Sequence, residues 1–155
     1  MAKLLSIAIW PEGNETHAEY PLEFELQLQA GESPDWITCL STVRIQRGND
    51  LPKDVLLSQH ATVLRRDLTR LAEELKSLLS QSVTQNLTFV PVIPSFEIWF
   101  DRLSDDQYRV MIWLDMADLF DGINEIAYRG FRFISSRTRL MGFARSMESD
   151  LRASG

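Results

Sequence analysis

Glu97, Asp101 and Asp115 stand at alternate positions of two successive strand-like segments, with Arg109 between them. Two carboxylates held in one cleft can divide acid and base roles, as in a sugar or small-ester hydrolase. The rest of the catalytic inventory is thin. The histidines are His17 and His60, the sole cysteine is Cys39, and their spacing matches no zinc pattern. A nucleophilic triad would need one of those two histidines as base, and no Gly-x-Ser-x-Gly elbow accompanies them. None of the seven glycines falls in a GxGxxG or GxxxxGK[ST] order, so nucleotide phosphates have no loop to cradle them. Asp118, Asp121 and Glu125 do not follow EF-hand spacing. The inventory points to a binding protein without metal or cofactor rather than to an enzyme.

The residues suited to recognition share the carboxylates' segments. Trp99, Arg109, Met111 and Trp113 alternate with apolar residues, and Trp, Met and Arg together have the composition of a protein interface. Which way they face depends on the elements that carry them.

Leu4–Trp10 reads as a short apolar strand. Leu22–Gln29 alternates cleanly, with Glu23, Glu25, Gln27 and Gln29 on the wet side. Trp36–Gln46 is a strand rich in β-branched residues, Arg47–Ser58 a loop, and Gln59–Leu64 a further strand. From Asp67 the period changes to that of a helix, with Leu68, Leu71, Ala72, Leu75, Leu78 and Leu79 on one face. Ser82–Pro94 reads as a connection, because Pro91 and Pro94 exclude a central strand. Ser95–Asp101 and Tyr108–Asp115 form a hairpin, Met116–Tyr128 a long loop, and Phe131–Ser135 a strand. Ser135 or Ser136 then caps a last helix with Leu140, Phe143, Ala144, Met147 and Leu151 inward.

The two halves read alike. With a fixed offset of 72 residues and no gaps, Phe24 falls on Phe96, Leu26 on Ile98, Trp36 on Tyr108 and Leu68 on Leu140. This suggests a βββα duplication covering about 22–80 and 94–152. The expected fold class is α+β: a two-layer, largely antiparallel sheet with two helices on one face, as a single domain over 1–155. With Phe96, Ile98 and Phe100 facing the helices, Glu97, Trp99 and Asp101 face away. Arg109, Met111, Trp113 and Asp115 do the same on the next strand. The same parity in the first half turns Ile37, Cys39, Val43 and Ile45 outward. That outer face binds another protein, a second copy as a homodimer, or a small ligand at its carboxylates, or else it is covered by the N-terminal strand or the 116–128 loop.

A net charge of −6 argues against nucleic acid or an anionic membrane as partner. Charge is uneven: residues 1–60 carry nine acids and four bases, whereas residues 129–152 carry six arginines. Those arginines read as a solvated helix face, with a docking site for an acidic partner as the sharper alternative. One cysteine allows no internal disulfide, and no signal-peptide order or membrane-length apolar run is present, so the expected location is the cytoplasm.

Asp35-Trp36-Ile37, Arg66-Asp67-Leu68, Phe89-Val90-Pro91 with Phe96-Glu97-Ile98, and Phe131-Arg132-Phe133 follow one another in this order. Together they resemble the WapI family of small bacterial immunity proteins over roughly residues 22–152. Where that family often has Glu-Pro, this chain has Val90-Pro91. The resemblance implies a cytoplasmic bacterial protein that neutralises a toxin domain by binding it, and it brings no catalytic residues with it.

Overall fold

The computed structural model describes residues 1–5, 8–9, 22–45, 54–81, 83–93, 95–115 and 128–154. The chain runs β1 (Ala2–Leu5), β2 (Ala8–Ile9), β3 (Leu22–Ala30), β4 (Trp36–Ile45), β5 (Asp54–Leu64) and α1 (Arg65–Ser80). It continues with β6 (Asn86–Phe89), β7 (Phe96–Arg102), β8 (Gln107–Asp115), β9 (Tyr128–Ser136) and α2 (Arg137–Ala153). The class is α+β and every strand pair is antiparallel. The strands divide into two sheets, ordered β1-β3-β4-β5 and β2-β9-β8-β7-β6, called here the first and second sheet. The N-terminal segment joins them: β1 closes one sheet, and two residues later β2 edges the other.

Apart from β2, each half presents the same order of elements: a short strand, a three-strand meander and a helix. The helices cross over, α1 lying against β6 and α2 against β1, and they pack on each other. This arrangement suggests an internal duplication of four strands and a helix, one strand more than the sequence pattern indicates. The helix faces are those the 3.6 period predicts, and both bury their apolar stripes in one core cluster. Phe24 of β3 and Phe143 of α2 meet there with ring centroids 6.4 Å apart. Arginines hold the C-terminal carbonyls of both helices. Arg102 donates to the carbonyls of Leu78 in α1 and of its C-cap Gln81, and Arg65 to those of Leu151 in α2 and of its C-cap Ser154. Ser136 caps α2 by accepting from the Arg139 amide at 3.3 Å.

Several boundaries and one face differ from the sequence reading. Residues 54–58, expected in a loop, belong to β5. A bulge opposite Val43 and Arg44 adds a residue there, so Val55-Leu56-Leu57 shows no alternation to read. The connection before Pro94 contains β6, a short edge strand where a proline two residues later costs nothing. β9 begins at Tyr128, three residues earlier than expected.

The outward placement of Ile37, Cys39 and Val43 is incorrect: all three are fully buried in the core. Ile45, expected outward with them, is half-buried and shares their face of β4. The cause lies in one turn. Residues 31–35 separate β3 from β4, whereas only 103–106 separate β7 from β8. The extra residue moves β4 by one position relative to β8, and a one-residue slip exchanges the faces of a strand. Ile37, not Trp36, therefore corresponds to Tyr108, as their facing residues Val63 and Ser135 show. Gly31 is required in the longer turn, because a Cβ there would lie 2.3 Å from the Trp36 carbonyl oxygen.

Candidate functional site

The outer face of the second sheet is a grid set by strand register. One row across it is Thr88, Trp99, Met111 and Arg132; the next contains Glu97, Trp113 and Gly130. Asp101 and Arg109 face each other in the row on the other side. All four binding candidates, Trp99, Arg109, Met111 and Trp113, thus share this face. Their inward neighbours Phe96, Ile98, Phe100, Tyr108, Val110, Ile112 and Leu114 are fully buried. Trp99 is 38% exposed, and Arg109, Met111, Trp113 and Arg132 are half-buried.

Polar contacts fix this surface. The Trp99 indole donates to Glu97 Oε2 at 3.1 Å, and Arg109 pairs with Asp101 at 3.7 Å. The Trp113 ring lies across Gly130: a Cβ there would sit 2.5 Å from Cζ3 and 2.7 Å from Cε3. A glycine inside a strand often marks such a close approach. It permits a large ring to lie flat on the sheet instead of standing off it. Gly130→Ala is expected to tilt the indole away at a cost of about 1–3 kcal/mol. A red shift of tryptophan emission in the folded protein measures the displacement.

The carboxylates are not gathered into one cleft. Glu97 and Asp101 lie four residues apart on one strand, about 13 Å at ~3.3 Å per residue. Asp115 is a diagonal neighbour of Glu97, roughly 7–8 Å away between Cβ atoms. Glu97 is engaged by Trp99 and Asp101 by Arg109. Among the described residues, no group of three or more His, Cys, Asp or Glu side chains is placed to hold a metal ion. His60 is exposed on the outer face of β5 and Cys39 is buried on the inner face of β4, so the sheet separates them. His17, Asp118, Asp121, Glu125 and residues 116–127 lie outside the described residues. Burial pushes the Cys39 thiol from 9.0 up to about 12. The folded form therefore keeps its proton where the unfolded thiol ionises. Stability is full below about 9 and falls as pH rises towards 12. Relative to Cys39→Ala, the unfolding constant should grow roughly tenfold per pH unit across that window, read by denaturant titration.

The first sheet serves as an internal comparison. In its corresponding register Gln27 replaces Trp99, Leu40 replaces Met111, Thr42 and Ser58 replace Trp113 and Gly130, and His60 replaces Arg132. Thr42 and Ser58 hydrogen-bond at 3.1 Å where the second sheet lays an indole over a glycine. The scaffold therefore does not require tryptophans at these positions. The glutamates diverge as well. Glu25, at the position of Glu97, is 6% exposed and pairs with Arg44 at 2.6 Å, and Glu23 beside it is 4% exposed. Their expected place on a wet face is corrected accordingly: Lys3 and Arg44 contact both.

Sequence reasoning missed Gly130 and Arg132. The isolated glycine in a strand was a usable signal, whereas Arg132 was absorbed into a run of arginines assigned to the helix. On the helix side, the surface cleft around Thr69, Glu73 and Arg152 is bordered by Arg65, whose donors are spent on carbonyls. No protein-family model, curated protein or solved structure matches the chain. No helix among the described residues is long and apolar enough to cross a membrane.

Proposed function

We propose that this chain is a non-catalytic protein-binding module, and that its binding face is the outer surface of the second sheet around Trp99, Met111, Trp113 and Arg132. One observation carries the reading: equivalent scaffold positions hold Gln27, Leu40, Thr42 and His60 in the first sheet. Two aromatic rings, a thioether and a guanidinium, side by side on one sheet face and partly open to solvent, are the composition of an interface centre. The charges at its rim, Glu97 with Trp99 and Asp101 with Arg109, are already partnered and keep the patch soluble. The resemblance to WapI-like immunity proteins supplies a role for such a face: neutralising a toxin domain in the bacterial cytoplasm.

The test is growth. A toxin encoded next to this gene would be expressed with and without the chain, and with a variant carrying Trp99→Gln and Trp113→Thr. Rescue by the wild type and loss of rescue by a folded variant support the reading. Rescue undiminished in the variant moves the interface elsewhere. Absence of any toxic neighbour removes the immunity role and leaves only the binding face.

A further inference from the structure

The two sheets end differently, and the difference marks a second contact surface. In the second sheet, β9 is not an edge: β2 pairs with it, Ala8 opposite Ile134. In the first sheet the equivalent strand is β5, with Thr62 at the position of Ile134, and the sheet order ends there. No counterpart of β2 is available, because only residues 90–95 separate β6 from β7. The scaffold thus shows in one half which structure this edge accepts, an antiparallel strand, and leaves the other half without one among the described residues.

The edge itself is suited to pairing. The Arg65 amide donates to the Asp35 carbonyl at 2.8 Å. In an antiparallel ladder the pattern alternates, so Val63, Ala61 and Gln59 bond β4, and the amides and carbonyls of Ser58, His60, Thr62 and Leu64 point to the open side. Natural edges are protected by charge, proline, bulges or shortness. β6, at the far end of the other sheet, has four residues and a proline two positions later. β5 has eleven residues, and Val55–Leu64 contains no Lys, Arg, Asp, Glu or Pro. Its bulge lies at one end, before Leu57.

We infer that β5 pairs with β5 of a second copy of this chain, antiparallel about a twofold axis, to form one continuous sheet across two molecules. A strand meeting itself in this way always matches inner face to inner face. In the register that overlaps Ser58–Leu64 fully, Ala61 faces Ala61 and His60 faces Thr62 of the other copy. About eight backbone hydrogen bonds form, two for each outward-pointing pair. No like charges oppose one another, although each copy carries −6 overall. The outer face of the second sheet stays free, so this contact is independent of the proposed binding face.

Sedimentation over a dilution series tests the inference, together with Thr62→Pro and Thr62→Lys. Proline at 62 removes an outward donor while leaving the β4 ladder intact, and lysine sets a charge near its symmetry mate. A concentration-dependent dimer is expected, weakened roughly tenfold or more by either variant. Amides of His60 and Thr62 should resist hydrogen exchange at dimer concentrations and exchange on dilution. Trp99→Gln with Trp113→Thr should leave the dimer unchanged. A wild type that stays monomeric throughout overturns the inference. So does a dimer that persists in folded Thr62→Lys, which keeps the test decisive if the proline variant does not fold.

Discussion

Replacing Arg44 with alanine is expected to destabilise the fold by about 3 kcal/mol, the largest effect of any single surface-facing substitution in the first sheet. Glu23 and Glu25 lie on the outer face of β3, yet their side chains are only 5% and 8% exposed. A carboxylate out of water needs a cation and hydrogen bonds to offset its lost hydration. Arg44 provides the closest for Glu25, at 2.6 Å, and Lys3 is next at 3.4 Å with its side chain 41% exposed. Alanine at 44 keeps both carboxylates buried and removes the closer of the two cations that contact them among the described residues. Urea denaturation should register the loss. Glu25→Gln in the Arg44→Ala background should recover part of it, because the amide no longer requires a counter-charge, and a double-mutant cycle gives a coupling of about 1–3 kcal/mol. Additivity of the two substitutions would mean that the cluster is too well hydrated to matter.

This cluster illustrates where the sequence stops being legible. Alternation correctly placed Glu23 and Glu25 opposite Leu22, Phe24 and Leu26, but opposite the core need not mean exposed. A wet face was inferred from residue type, and tertiary burial overrode it. Periodicity was most reliable where alternation or the helical repeat ran unbroken: every apolar inner position of both helices, and the parity of β3, β7 and β8, came directly from the pattern, whereas the buried Asp67 of α1 did not. It failed at β4, where one extra residue in the 31–35 turn cannot appear in a gapless comparison. It failed at the start of β5, where a bulge erases alternation, and at β6, where four residues beside a proline look like a loop.

The candidate face was legible for the same reason β7 and β8 were. Trp99, Arg109, Met111 and Trp113 needed only correct parity to be set on one surface. What the sequence did not disclose was their order across strands. Trp99 and Met111 share a row with Arg132, and Trp113 shares one with Gly130, which are facts of register between segments far apart in the chain. Register also separates the carboxylates: Glu97 and Asp101 alternate correctly but lie too far along the strand to act on one bond together.

The strongest functional effect should come from giving the second sheet the first sheet's residues: Trp99→Gln, Trp113→Thr and Gly130→Ser together. Each replacement already stands on this scaffold, as Gln27, Thr42 and Ser58, and the last two already form a hydrogen bond there. The usual objection to mutating half-buried tryptophans, that they fill space the fold needs, is therefore weakened in advance. The variant should keep its circular dichroism and unfold cooperatively, with a loss of about 1–2 kcal/mol from the half-buried Trp113. Binding is a different matter. Interface tryptophans that dominate an interface contribute 2 kcal/mol or more each, so removing two should weaken association at least about a hundredfold. Capture of a partner from the native cell, compared between wild type and triple variant, makes the measurement. If the variant is folded and captures the same partner equally well, the outer face of the second sheet is ordinary surface. If it is unfolded although the first half tolerates the same residues, the two tryptophans are a second layer of core, and the symmetry between the halves is looser than their strand order implies.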